Sequence, residues 1–313
     1  MVGAEQLHIP VMRDACLDLL APALAGPALL IDCTLGMGGH TEAALQRFPE
    51  LRVIGIDRDP EALALAGERL APFGDRFTAV KSGFESIADI APEAPRGILM
   101  DLGVSSLQLD DAGRGFAYAQ DGPVDMRMDP TSGIPAAAFL GSASHGEIAR
   151  VISTYGEERF AGKIASAIVR HPRRGELTTG ELAELVREAI PAPARRTGGH
   201  PAKRTFQALR IHVNDELGQL ERGLAGALDV LALGGRIVVE SYHSLEDRIV
   251  KRTLAAHATT STPLDLPVQA EEPPLRLLTR GALKAPEDEV RANPRSASVR
   301  VRAAEKRTEG PIS

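Results

Sequence analysis

Between Ala28 and Val104 short, uninterrupted apolar runs alternate with amphipathic stretches. Continuous rather than alternating apolar runs mark strands covered on both faces, as in a parallel sheet. The pattern predicts strands over 28–32, 52–57, 76–81 and 97–101, with helices over 41–48 and 60–70, where Pro60 suits a first helical turn. After Val104 the rhythm stops. A loop rich in Asp and Gly, 110–133, leads into helical patterns near 145–155, 157–171 and 178–190, then into one long helix from after Pro201 toward Leu231. Strand patterns return at 235–241 and 298–302, and 259–274 reads as a Pro- and Thr-rich loop. There is no internal repeat. A doubly wound α/β sheet interrupted by an all-helical insertion follows, with ligands expected at the carboxyl ends of the strands where the winding reverses.

The composition fits that architecture. The 313 residues are 43% hydrophobic and 25% charged, enough for one large domain or two moderate ones, and with 11 Phe and Tyr and no Trp the core must be aliphatic. No 18-residue apolar run and no basic, apolar leader occur, so a cytoplasmic protein without a membrane partner is expected. Two cysteines, Cys16 and Cys33, can build neither a disulfide framework nor a four-cysteine zinc site, and no metal is expected. The net charge of -6 hides an uneven distribution. From Val151 to Arg210 there are 11 Lys and Arg against 6 Asp and Glu, a balance of +5 that leaves -11 for the rest. That segment is either a solvated helical face or a surface for phosphates.

Candidate chemistry clusters after the strands. Asp32-Cys-Thr-Leu-Gly36-Met-Gly38-Gly39-His40 follows the first strand and opens into a helix, which is either a tight turn or a loop whose backbone approaches a ligand. The second strand ends at Asp57, about twenty residues beyond the glycines, where a carboxylate accepts from a ribose diol. The glycine spacing departs from the Gly-x-Gly-x-x-Gly of nicotinamide cofactors; S-adenosylmethionine, with no phosphate to cradle, suits the loop better. Asp101 to Asp111 follows the fourth strand. Glu240-Ser-Tyr-His-Ser-Leu-Glu-Asp-Arg248 follows the fifth, where Ser244 reads as a helix cap and Tyr242 and His243 stand at the strand end.

Taken together, these motifs resemble the RsmH (MraW) family of small-subunit (16S) ribosomal RNA cytosine-N4 methyltransferases. The resemblance runs nearly end to end: His8-Ile-Pro-Val, the glycine loop, Gly55-Ile-Asp57-Arg-Asp-Pro, Asp101-Leu-Gly-Val-Ser-Ser, Arg114-Gly-Phe116, Asp121 to Pro130, Tyr155-Gly-Glu-Glu-Arg159-Phe, His200 to Arg210, and His243 to Lys251. It implies a Rossmann-like class I S-adenosylmethionine-dependent methyltransferase sheet over 1–112 and 216–313, interrupted by a helical substrate-recognition domain over 113–215. The implied reaction moves a methyl group from S-adenosylmethionine to the N4 amine of a decoding-centre cytidine, within 16S rRNA or the small subunit. Carried over residue by residue, cofactor contacts fall on Gly38, Gly39, His40, Asp57, Phe84, Asp101 and Gln108, and Gly36 joins them from the loop itself. Leu107 stands where the family often has Pro, Tyr242 where Phe is frequent, and Cys33 and Met37 fill variable places.

Asp101, Tyr242 and His243 are the candidate catalytic residues, with Asp101 or nearby carbonyls accepting the amine proton. Phe116, Tyr118, Phe206 and Tyr242 are available to stack on a base. Arg195, Arg196, Lys203, Arg204 and Arg210 are expected to bind RNA, with Arg173 and Arg174 in the insertion's loops. A nicotinamide-dependent dehydrogenase and a non-catalytic RNA-binding assembly factor are the alternatives, and homodimerisation is left open.

Overall fold

The computed structural model describes residues 10–196, 199–259 and 272–312. His8 and most of the 259–274 loop lie outside them. The chain forms two compact units: the first is Met1–Gly103 with Leu217–Ser313, the second Val104–Glu216. The first unit thus ends at Gly103 where the sequence suggested 112, and resumes at Leu217.

The first unit is built on seven strands: β1 (Ala28–Asp32), β2 (Leu51–Asp57), β3 (Phe77–Lys81), β4 (Gly97–Asp101), β5 (Arg236–Ser241), β6 (Leu275–Leu277) and β7 (Arg300–Lys306). They lie in the order β3-β2-β1-β4-β5-β7-β6. The first five pair in parallel, and β7 runs antiparallel to both β5 and β6. The Rossmann-like α/β sheet is therefore present, with its winding reversed between β1 and β4.

Alternate residues of one strand feed two cores, because side chains of a strand point to opposite faces. Leu30, Leu99 and Val238 pack with α1 (Arg13–Leu20), α2 (Gly39–Arg47) and α3 (Pro60–Leu70). Leu29, Ile31, Ile98, Met100, Ile237 and Val239 pack against the other layer, which includes α4 (Ile87–Ile90) and residues of the later helices α11 (Glu216–Val230) and α12 (Ser244–His257). Pro60 opens α3 as expected, and Asp59 caps it by accepting from the Glu61 amide. The short α13 (Glu287–Ala292) precedes β7.

The second unit is helical: α5 (Ser106–Asp110), α6 (Ala136–Ser142), α7 (His145–Gly156), α8 (Ala161–Arg170), α9 (Thr179–Ala189) and α10 (Lys203–Asn214). Its core joins Ile148, Ile152, Ile164, Ile168, Leu182, Val186 and Leu209. Ser144 and Thr178 start α7 and α9 with reciprocal capping boxes. The single long helix expected after Pro201 is two, because Asp215 takes a left-handed conformation at φ 49° and separates α10 from α11. Phe116 and Phe206 are not base platforms; both are buried in this core. Tyr118 stacks on His200 with centroids 4.3 Å apart.

Candidate functional site

The loop between β1 and α2 is stitched to the strands on both sides of it. Cys33 donates to Leu99 O on β4, and the Asp101 amide donates to Thr34 Oγ1 at 2.6 Å. On the other side Leu35 donates to Ile56 O of β2, and the Gly36 amide to Asp57 Oδ2 at 2.8 Å. Asp32, buried at the end of β1, secures both ends of the loop by accepting from the Thr34 amide and from Thr41 Oγ1 of α2. Its structural task was invisible in the motif. Gly36 and Gly38 both have positive φ, and Gly38 forms the left-handed cap of α2. A Cβ on Gly38 would stand 2.9 Å from Leu70 Cδ1, so bare backbone is required by conformation and by the neighbouring α3 alike.

Asp57, at the carboxyl end of β2, accepts Gly36 N–H on one carboxylate oxygen and Asp59 N–H at 2.9 Å on the other. Burial pushes its carboxyl up to about 6 in spite of those two donors. Each oxygen keeps a free lone pair. Phe84 sits in the turn after β3 and packs against α11, where a Cβ on Gly223 would come within 2.4 Å of its ring.

Where β4 and β5 end side by side, a compact charged cluster lies below the loop. His40 Nε2 is 3.2 Å from Glu240 Oε2 and 3.6 Å from Asp101 Oδ2. His40 and Glu240 are buried, whereas the Asp101 side chain is 26% exposed and is the member open to a ligand. Among the described residues neither ring nitrogen of His40, neither carboxylate oxygen of Glu240, nor the Ser241 hydroxyl completes a well-aligned hydrogen bond. Burial alone would lower the His40 imidazole; the carboxylates of Asp101 and Glu240 outweigh it and hold it at about 10. Burial, reinforced by the charge of Asp101, pushes Glu240 up to about 7. The three side chains offer one ligand atom each within 4.8 Å of one another. An imidazolium between two carboxylates also balances its own charge without an ion. Glu240 was not singled out as a site residue; its signal was a carboxylate inside an otherwise apolar strand.

Tyr242 donates its hydroxyl to Asp101 Oδ1 at 2.8 Å. Burial and the neighbouring Asp101 and Glu240 carboxylates push its phenol well above the usual range, so it remains the donor. His243 has a different task. It, rather than Ser244, caps α12: its Nδ1 accepts from the Glu246 amide, while Glu246 accepts from the His243 and Tyr242 amides. Its Nε2 lies 3.1 Å from Glu246 Oε1, so both ring nitrogens of His243 face the first turn of the helix it caps. Cys16 and Cys33 are buried, and burial holds both thiols well above their ordinary range.

The first unit therefore gathers Gly36, Gly38, Gly39, His40, Asp57, Asp101 and Tyr242 at the carboxyl edge of the sheet. Gln108 belongs to the second unit, where it completes the capping box of α5 with Ser105. The arginines expected to bind RNA are engaged there by their own unit. Arg210 makes a two-pronged ion pair with Glu216 at 2.8 Å, which neutralises it. Arg195 donates to Ile190 O and Glu188 O, and Arg204 to Glu157 O. Lys203 is exposed. Arg196 lies in the turn after α9, and its side chain is outside the described residues.

Residues 5–307 match the MraW methylase family. The ribosomal RNA small subunit methyltransferase H of Beutenbergia cavernae is 61% identical over 309 residues, covering 96% of this chain and 93% of the relative. That of Nocardia farcinica is 59% identical over 310 residues, covering 96% of each. A solved rRNA methylase from Streptococcus thermophilus aligns with a TM-score of 0.45 at 12% identity, over 96% of this chain and 99% of that one.

Proposed function

The chain belongs to the MraW methylase family, and from that premise we propose that it transfers a methyl group from S-adenosylmethionine to the N4 exocyclic amine of a cytidine in the decoding centre of 16S ribosomal RNA. The observation that carries this reading is the stitching of one glycine loop to both Asp57 and Asp101, at the strand pair where the winding reverses.

The residues fit the cofactor. Asp57 keeps an acceptor lone pair on each oxygen for a ribose diol, and the loop of Gly36, Gly38 and Gly39 is tied beside it through the Gly36 amide. His40 and Asp101 would face the charged amino-acid tail, and Phe84 would border the adenine. When bound, S-adenosylmethionine supplies an electrophilic methyl group on a sulfonium.

The chain's own part is positioning and proton handling. A cytosine amine is a poor nucleophile because its lone pair is delocalised into the ring, so its hydrogens must be held while the nitrogen pyramidalises. Asp101 is the acceptor: Tyr242 fixes Oδ1, and Oδ2, 3.6 Å from His40 Nε2, keeps a lone pair for an amine hydrogen and then for the proton released on transfer. Burial keeps both thiols protonated, which favours a reaction without a cysteine adduct, and an amine target needs none. Labelled methyl transfer to small-subunit RNA, naked and assembled, followed by mass spectrometry of the nucleosides, tests the proposal. N4-methylated cytidine is expected; a carbon-methylated product, or binding of NAD in place of S-adenosylhomocysteine, refutes it.

A further inference from the structure

The second unit carries a recess of about 620 Å³ lined by Arg159, Phe160, Pro191, Pro193 and Ala194. Phe160 caps the start of α8 and is half-buried, while Arg159 before it and Lys163 one turn later are exposed. The Arg159 guanidinium lies 4.6 Å from the centre of the Phe160 ring and the Lys163 ammonium 5.8 Å. Among the described residues neither cation has a carboxylate or carbonyl partner; the ring is what they touch. The opposite wall is held rigid. Arg195 pins the turn carrying Pro191, Pro193 and Ala194 back onto the last carbonyls of α9, and Arg204 pins the Glu157 carbonyl just before Arg159.

Building on the ribosomal RNA reading, we infer that this recess is a docking site for an unpaired nucleotide of the RNA substrate, held outside the methyl-transfer site. The base rests against Phe160, the Arg159 plane and the two prolines, and the flanking phosphates pair with Arg159 and Lys163. Two features favour a nucleotide over a protein segment. A planar aromatic-and-guanidinium surface stacks on any base face, and such platforms are how single strands are gripped without sequence preference. Two unneutralised cations at one rim supply phosphate contacts. The contrast within the basic segment points the same way: Arg195, Arg204 and Arg210 each commit donors to their own unit, while among the described residues Arg159 and Lys163 give none to a carbonyl or carboxylate.

Two variants of the full chain separate the two kinds of contact. Binding of a fluorescein-labelled, mixed-sequence single-stranded RNA of about a dozen nucleotides is followed by anisotropy across a salt series. Arg159→Gln with Lys163→Gln is expected to weaken binding about tenfold at low salt and to flatten the log–log salt slope by about 1.4, near 0.7 for each lost phosphate contact. Phe160→Leu, which keeps apolar bulk at the helix start, is expected to weaken binding with the slope unchanged, because stacking releases no counterions. Affinity for S-adenosylhomocysteine should be the same in all three proteins, which certifies the fold of the first unit, and circular dichroism that of the second. An unchanged slope in the double variant, full affinity in Phe160→Leu, or no binding by the wild type overturns the assignment. If the wild type methylates ribosomal RNA while these variants bind and react as it does, the docking site fails and the methyltransferase reading stands. If the slope and affinity change as expected but no methyl is transferred, the methyltransferase reading fails instead.

Discussion

Cofactor affinity should depend on pH through Asp57, with a sign fixed by its surroundings. Its carboxyl is raised to about 6 by burial, although the Asp59 and Gly36 amides partly oppose the shift. A ribose diol donates two hydrogen bonds, and only the ionised carboxylate accepts both, so binding selects the deprotonated form. With a value near 6, about a tenth of the protein is ionised there at pH 5 and about nine tenths at pH 7. The dissociation constant for S-adenosylhomocysteine should therefore fall roughly tenfold between pH 5 and pH 7, or about 1.4 kcal/mol. The effect on folding has the opposite sense. A carboxyl raised above its unfolded value gives stability that is fully present below about pH 4 and is lost as the pH rises through about 6. Isothermal titration calorimetry over that range measures the first effect. Glu240, raised to about 7, also titrates in this window, so Asp57→Asn is the control. Asparagine keeps one acceptor and turns an amide toward either Gly36 or Asp59, leaving one backbone donor unpaired at a cost of about 1–3 kcal/mol. The variant should bind weakly at every pH and lose the tenfold change. A wild-type affinity that is flat from pH 5 to 7, or a change that persists in full in Asp57→Asn, refutes the reasoning.

Glu240→Gln leaves His40 with Asp101 alone against its burial, so the imidazole should fall from about 10 toward neutrality; histidine ring NMR over pH 5–10 reads this, and an unmoved value would mean Asp101 suffices. The same measurement checks stability, since the contribution of a raised histidine is present below about pH 6.5 and lost as the pH climbs through its folded value of about 10. Gly38→Ala forces an alanine to φ 78° and toward Leu70, so a loss of about 1–2 kcal/mol is expected from the backbone alone, read as a melting point lower by several degrees. Cys16→Ala with Cys33→Ser should still methylate RNA at a substantial rate; a folded, cofactor-binding double variant without activity would restore a covalent mechanism.

How legible each element was follows from what sets its ends. The spans expected for β1 and β4 coincide with those observed because both are apolar runs buried on both faces, with a carboxylate where the strand reaches the site. β7 begins at Arg300 and runs to Lys306, past the expected 298–302, because its closing residues are read through pairing with β5 and β6 rather than through their own hydrophobicity. β6, three residues long, has too little sequence for any period. The break at Asp215 is a one-residue backbone event in a chain whose helical period continues on both sides. The link between the glycine loop and Asp57 was legible because a tight strand-to-helix turn beside a neighbouring strand end constrains spacing along the chain. The pairing of His40 with Glu240 was not, since 200 residues separate them and only the succession of β1, β4 and β5 in the sheet joins them. The partners of the arginines were hidden for a related reason: a sequence shows a cation, but not which carbonyl or carboxylate it also holds.

The insertion between β4 and β5 sets the order in which this protein can be assembled during synthesis. β5 pairs in register with β4 from Gly97↔Arg236 onward, so the sheet waits on residues 102–235. At about 5–20 residues per second, a nascent chain spends about 7 to 27 seconds with the edge of β4 uncovered. Gly97, Ile98, Leu99 and Met100 are all buried in the finished protein, and an open apolar edge is a template for pairing with other chains. The helical segment shortens that exposure in space if not in time. Its packing closes within the segment itself, α7 with α8 and α10 and α8 with α9, so it can condense while β5 is still being made and replace a long floppy loop by a compact one. Chains that stall or are cut inside the insertion would be left with β4 as a permanent edge, and their fate would be aggregation rather than a smaller working enzyme.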